Sequence, residues 1–125
     1  VMDYMYMRAP EMYLIEAEAL AHLNQGEKAA EALAPLMAVR DKGWHKSSVT
    51  VEDVYLQRRI ELWGEGFSFF DLKRLNKGID RAYAGNNHLP GYQLVVPALA
   101  KTWIYQIPNR EMQENKALTE DDQNE

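Results

Sequence analysis

The sequence predicts a mainly α-helical fold: a helical hairpin, then a broken helix pair, with a long irregular loop and one or two short edge strands after it. Three observations carry that expectation. Apolar residues recur at three- and four-residue intervals through residues 9–42 and again from Leu56 through Ile60 and Trp63 to Phe67. Glycine and asparagine punctuate the chain at Asn24-Gln25-Gly26, Gly43, Gly64-Glu65-Gly66 and Asn76-Lys77-Gly78. From Gly78 to Lys101 the helical period disappears among Gly85, Asn86, Asn87, Pro90, Gly91 and Pro97.

Pro10 suits a first helical position, and Met12, Tyr13, Ile15, Ala17, Ala19, Leu20 and Leu23 continue an alanine-rich helix. Gly26 is expected to cap it in the left-handed conformation. Glu27 opens a second helix that runs to about Lys42 and ends at Gly43, with Pro35 predicted to kink it. So short a connection folds the two helices back into an antiparallel pair. Residues 44–49 form a loop, and Thr50 with Asp53 three residues on reads as a capping box for a helix over Val51 to Trp63. A shorter helix follows over about Ser68 to Leu75. Tyr92–Val96 and Trp103–Ile107 are short β-like runs ended by Pro97 and Pro108, and Asn109 is expected to cap a last turn through Met112.

With 125 residues and 46% hydrophobic content, one core over residues 1–118 is expected, followed by an acidic, mobile tail at 119–125. The net charge of -5 resides wholly in the last fifteen residues; residues 1–110 carry thirteen bases and thirteen acids. No basic field exists to attract nucleic acid or anionic lipid. The absence of cysteine removes disulfides and thiolate chemistry, and no run approaches the roughly 18 apolar residues of a membrane span. The chain opens mid-pattern without an initiator methionine, and a piece of something longer is the expectation.

The densest cluster of charge, glycine and aromatics spans Gln57 to Arg74. Glu61 and Glu65 lie one turn apart and could form a carboxylate pair for acid–base chemistry. The structural alternative is preferred: Arg58 and Arg59 precede them at pairing distance, Gly64 and Gly66 allow a turn with positive φ, and the stretch becomes a joint between two helices. Asp71, with Lys73 and Arg74 close behind, is expected to pair within the fold near the start of its helix. Phe67, Phe69 and Phe70 are core candidates. His22 follows Glu18 by four positions, but His45 and His88 are remote and no metal motif forms, so neither metal nor other cofactor is expected. No serine stands in a nucleophile-elbow setting, and no catalytic residues are expected. The residues best suited to touching a ligand are Trp44, Tyr83, Asn86, Asn87, His88 and Tyr92, because flat aromatics stack on sugar faces while amides and imidazole bind hydroxyl arrays.

Three blocks of the sequence resemble the C-terminal part of the SusD/RagB family of outer-membrane nutrient-binding lipoproteins. The first is Arg8 to Ala21 with its Ala-Glu-Ala, followed later by Arg40; the second is Gln57-Arg58-Arg59-Ile60-Glu61-Leu62 with Glu65-Gly66 and Asp71-Leu72-Lys73-Arg74; the third is Ile107-Pro108 with Glu111 and Asn115. Gln57, Ser68 and Lys116 stand where the family usually has glutamate, arginine and proline. The resemblance implies tetratricopeptide-like helix pairs and a non-enzymatic surface lipoprotein of Bacteroidetes-type bacteria. Such a protein binds glycans, oligosaccharides or peptides and passes them to a TonB-dependent transporter barrel. Its only hold on the membrane would be a lipid anchor outside this segment. An intracellular tetratricopeptide-like interaction module is the competing expectation.

Overall fold

The computed structural model describes residues 7–124, and the chain divides into two compact units at Ser68/Phe69. The first unit is helical. Helix α1 (Ala9–His22) and helix α2 (Gly26–Arg40) form the expected hairpin, and α3 (Val51–Glu61) packs back on α1. Their shared core joins Leu14, Ala17 and Ala21 of α1 to Ala29, Leu33 and Leu36 of α2 and Val54 of α3. Alanine on both sides lets the α1 and α2 backbones approach closely. Leu14 and Leu33 are fully buried, so truncating either to alanine costs about 2–5 kcal/mol.

The turn between α1 and α2 differs in mechanism from the expectation. Asn24, not Gly26, takes the left-handed conformation, with φ +58°. The Gln25 amide donates to the Leu20 carbonyl at 2.9 Å and the Asn24 amide to Ala21 at 3.0 Å, a two-bond Schellman closure. Gly26 is instead the first residue of α2, and its need for glycine is one of space: a Cβ there would sit 2.9 Å from the Val49 carbonyl oxygen. The Val49 amide donates to the Gly26 carbonyl at 3.0 Å, which ties the loop before α3 to the start of α2.

Helix α2 ends at Arg40 with Asp41 already extended, three residues short of Gly43; Pro35 lies inside it. The Thr50–Asp53 capping box forms as read, with the Asp53 amide donating to Thr50 Oγ1 at 3.2 Å and the Thr50 amide to Asp53 Oδ2 at 2.9 Å. The helix it starts ends at Glu61, two residues before Trp63. Its buried side carries Val54, Tyr55 and Arg58, whereas the periodic apolar set Leu56, Ile60 and Trp63 lies on the outside, Trp63 being 86% exposed.

Helix α4 (Phe67–Arg74) leads into the second unit and closes at Asn76, φ +50°, by the same two-bond pattern: Lys77 amide to Leu72 carbonyl at 2.8 Å and Asn76 amide to Lys73 at 3.1 Å. The second unit is sparse in regular structure. Strand β1 (Ile79–Asp80) pairs antiparallel with β2 (Val95–Val96), Ile79 opposite Val96. Only the end of the Tyr92–Val96 run is therefore strand, since Pro90–Tyr92 is a 3-10 turn. Trp103–Ile107 is not a strand; Lys101–Trp103 forms another 3-10 turn, and the Trp103 indole donates to the Pro97 carbonyl at 2.8 Å. Asn109 is the first residue of helix α5 (Asn109–Glu114), with Pro108 ahead of it and no side-chain cap. Residues 120–122 make a last 3-10 turn boxed by Thr119 and Asp122. Beyond it, the Gln123 amide both accepts from the Ile107 N–H at 2.7 Å and donates to the Ile107 carbonyl at 3.0 Å, and Asn124 donates to the Tyr105 carbonyl at 3.0 Å.

Candidate functional site

Two sets of residues were candidates, the charged stretch around Gly64-Glu65-Gly66 and the loop aromatics. In the first unit, the chain leaving α3 turns at once: Gly64 has φ +81° and Gly66 φ +84°, both in the region that side chains disfavour. The Glu65 amide donates to the Leu62 carbonyl at 3.2 Å. Nothing lies within 4 Å of a Cβ built at either glycine, so conformation and not crowding is what requires them. The turn places Glu65 beside Glu61, and two arginines receive the pair.

Arg40, in the last turn of α2, grips Glu61 through a fork: Nε to Oε2 and Nη2 to Oε1, each 2.8 Å. Arg8, the residue preceding α1, donates from Nη1 to Glu61 Oε1 at 3.2 Å and from Nη2 to the Glu61 carbonyl at 2.9 Å. It also grips Glu65 with Nε at 3.3 Å from Oε2 and Nη2 against Oε1. Two positive and two negative groups thus cancel, with the Glu61 side chain only 9% exposed. The Arg40 hydrogen bond, opposed by burial and assisted by the charges of Arg40 and Arg8, holds the Glu61 carboxyl below its ordinary range. A carboxylate so held is a poor proton donor, and its lone pairs are engaged by guanidinium groups. The arrangement fastens the ends of α1, α2 and α3 together.

Arg58 pairs elsewhere than the i to i+3 spacing to Glu61 suggests. Its guanidinium lies 3.7 Å from Glu11 of α1 and 5.3 Å from the centre of the Phe67 ring, with a side chain only 7% exposed. Arg59 rests over Tyr55 at 5.8 Å. In the second unit, Asp71 is buried and accepts from Arg74 Nε at 2.9 Å; it is the fifth residue of α4, outside the first turn. Phe67 packs on the core of the first unit, Phe69 meets Trp103 and Tyr105 with ring centres 5.6 and 5.2 Å away, and Phe70 is exposed.

Of the loop residues, Trp44 belongs to the first unit, where it is half-buried against the core. The other five share one excursion of the second unit. Its base is closed by the β1–β2 pair and by the Arg81 amide donating to the Leu94 carbonyl at 2.9 Å. Within it Asn86 shapes the backbone: Nδ2 donates to the Tyr83 carbonyl at 2.7 Å and Oδ1 accepts from the His88 amide at 3.0 Å. Gln93 Nε2 donates to the His88 carbonyl at 3.0 Å. Tyr83, Asn87, His88 and Tyr92 are exposed, and the two tyrosines show more than half of their surface.

Arg8 and Arg40 as partners of Glu61 are what sequence reasoning missed. Separations of 53 and 21 residues leave no spacing signal. His22 Nε2 lies 3.7 Å from buried Glu18, and no group of three metal-ligating side chains gathers among the described residues. No helix among them is long and apolar enough to cross a membrane.

The sequence pattern of the SusD family matches residues 2–125. Among solved structures it is similar to a SusD-like carbohydrate binding protein from Bacteroides vulgatus ATCC 8482, at 31% identity and a TM-score of 0.70. That match covers 92% of this chain and 29% of the other, so the chain spans less than a third of the length of the protein it matches. No curated protein sequence matches it.

Proposed function

The chain belongs to the SusD family, and from that premise we propose that it is part of a non-enzymatic cell-surface protein that binds glycans or oligosaccharides and delivers them to a TonB-dependent transporter barrel in the outer membrane. The single observation that carries this reading is its similarity, along nearly its whole length, to the SusD-like carbohydrate binding protein. Membrane attachment through a lipid anchor outside this segment follows from the same family reading.

The closed loop of the second unit is the part of this segment that we assign to the ligand. Tyr83 and Tyr92 offer exposed rings for the apolar faces of sugar rings, and Asn87 and His88 offer hydrogen-bonding groups between them in sequence. Asn86 has its amide committed to the loop backbone, which supports a shaping role for it. Trp44 has the core of the first unit as its neighbour and serves packing there.

Titrating the full-length gene product calorimetrically against a panel of neutral oligosaccharides tests the proposal. Saturable binding of at least one is expected, and absence of heat across the panel rejects glycan binding. The helix pair α1–α2 is shared by the second reading, an intracellular repeat module. Surface protease accessibility on whole cells separates the two, since an intracellular module stays intact.

A further inference from the structure

The end of the second unit closes on itself around a cleft. The Gln123 side-chain amide accepts from the Ile107 N–H at 2.7 Å and donates to the Ile107 carbonyl at 3.0 Å, the two-bond exchange that a neighbouring strand would make. Residues 107–123 thereby become a strapped loop, and Asn124 adds a bond to the Tyr105 carbonyl at 3.0 Å. Between α5 and the turn boxed by Thr119 and Asp122 lies a cleft of about 600 Å³, the size of a small-molecule site.

The lining combines two kinds of surface. Met112 and Leu118, both half-buried, supply an apolar patch. Asn109 and Gln113, exposed and one turn apart on α5, border it together with Thr119 and Glu120. No group among the described residues bonds to the side-chain amide of Asn109 or of Gln113, so each keeps its donors and its acceptor for a ligand. The contrast is Asn115, whose amide is spent within the chain: Nδ2 donates to Glu111 Oε1 at 2.8 Å and Oδ1 accepts from the Ala117 N–H at 3.1 Å. The lining contains one acid and no base, and residues 109–125 hold six acids against Arg110 and Lys116, which disfavours an anionic ligand.

We propose that this cleft is a second sugar site, built from residues other than those of the Tyr83–Tyr92 loop, and that it takes an N-acetylated amino sugar. The inference rests on the glycan reading above and names a sugar class for it. An acetamido group carries one N–H, one carbonyl and one methyl. The free amides of Asn109 and Gln113 match the first two, and the Met112–Leu118 patch receives the third. A plain hexose offers only a hydroxyl at that position and leaves the apolar patch uncovered. The Glu120 carboxylate accepts from a ring hydroxyl, and the neutral sugar meets no repulsion from the surrounding acids.

Calorimetric titration of the full-length gene product with tri-N-acetylchitotriose and with cellotriose tests it. The two share a linkage and differ only in carrying an acetamido group or a hydroxyl beside the anomeric carbon. Binding of the acetylated trisaccharide at least about tenfold tighter is expected, with about a tenfold loss in Gln113→Ala and in Asn109→Ala. Arg110→Ala, on the same helix but outside the lining, stays within about twofold. Equal affinities for the two trisaccharides overturn the sugar class, and an acetylated trisaccharide bound equally by Gln113→Ala and the natural protein overturns the site. Acetyl-trialanine amide competing at similar concentration overturns the sugar and makes a peptide the occupant. Binding of another neutral oligosaccharide with tri-N-acetylchitotriose silent rejects the cleft while glycan binding stands; silence across the whole panel rejects both. Gln113 is exposed near the end of α5, and its replacement keeps the test decisive if Asn109→Ala weakens that helix.

Discussion

Glu61 and Arg40, 21 residues apart, meet in a two-bond fork with both carboxylate oxygens 2.8 Å from guanidinium nitrogens. The fork joins the end of α3 to the end of α2, and Arg8 adds the start of α1 to the same carboxylate. Replacing Glu61 with alanine leaves two arginines facing each other without their shared counter-ion. A loss of about 1 kcal/mol in unfolding free energy is expected, since the guanidinium groups left behind are partly exposed and water takes over part of their hydrogen bonding. Urea unfolding of Glu61→Ala checks it, and an Arg40→Ala, Glu61→Ala double-mutant cycle isolates the pair.

Acid should weaken the first unit through two carboxylates. Glu61 is held low chiefly by the Arg40 hydrogen bond, and Asp53 is lowered from its ordinary 3.8 to about 2, first by the Lys46 hydrogen bond and then by those from Thr50. Each binds a proton more readily in the unfolded chain than in the folded one. Their stabilisation is therefore complete above the unfolded values and is lost as pH falls through the folded ones. For Asp53 that window runs from 3.8 down to about 2. Midpoints of urea unfolding between pH 6 and pH 2 should fall less steeply for Asp53→Asn than for the natural chain; parallel curves contradict the assignment.

Two glycines that both face open space differ in backbone conformation alone. Gly66→Ala should cost about 1–2 kcal/mol because φ +84° is strained for any residue with a Cβ, although the site is open. Gly91→Ala, also in open space but without positive φ, should be near neutral. Thermal melts of the two variants measure the difference.

Much of the first unit was legible in the sequence because its determinants are local. Thr50 and Asp53 announce the start of α3 three residues apart, and the alanine-rich hairpin follows from its period and short turn. Gly26 was misassigned because two mechanisms favour glycine near a helix end; its role depends on Val49, which no local pattern discloses. The stripe at Leu56, Ile60 and Trp63 had the right period for a helix, yet periodicity does not say which of two apolar faces is buried, and Val54, Tyr55 and Arg58 take that place. The joint at Gly64 to Gly66 was recognisable from its glycines, while its arginines come from the start of α1 and the end of α2. In the second unit, a two-residue strand such as Ile79–Asp80 is too short to carry any alternation.

Aromatic stacking is expected to carry ligand affinity in the loop. Tyr92→Ala in the full-length protein should weaken binding of its best oligosaccharide by about tenfold, roughly 1.4 kcal/mol, with an unchanged melting temperature because the ring is largely exposed. Tyr83→Ala should act in the same direction.

The most direct test of the account is one titration series, the affinity of the full-length protein for its glycan in Glu65→Ala beside Tyr92→Ala, both held well below their melting temperatures. A joint that fastens helices and a loop that touches ligand predict that Glu65→Ala binds within about twofold of the natural protein while Tyr92→Ala binds about tenfold more weakly. Loss of binding in Glu65→Ala with a native melting temperature, alongside unaltered binding in Tyr92→Ala, contradicts both assignments at once.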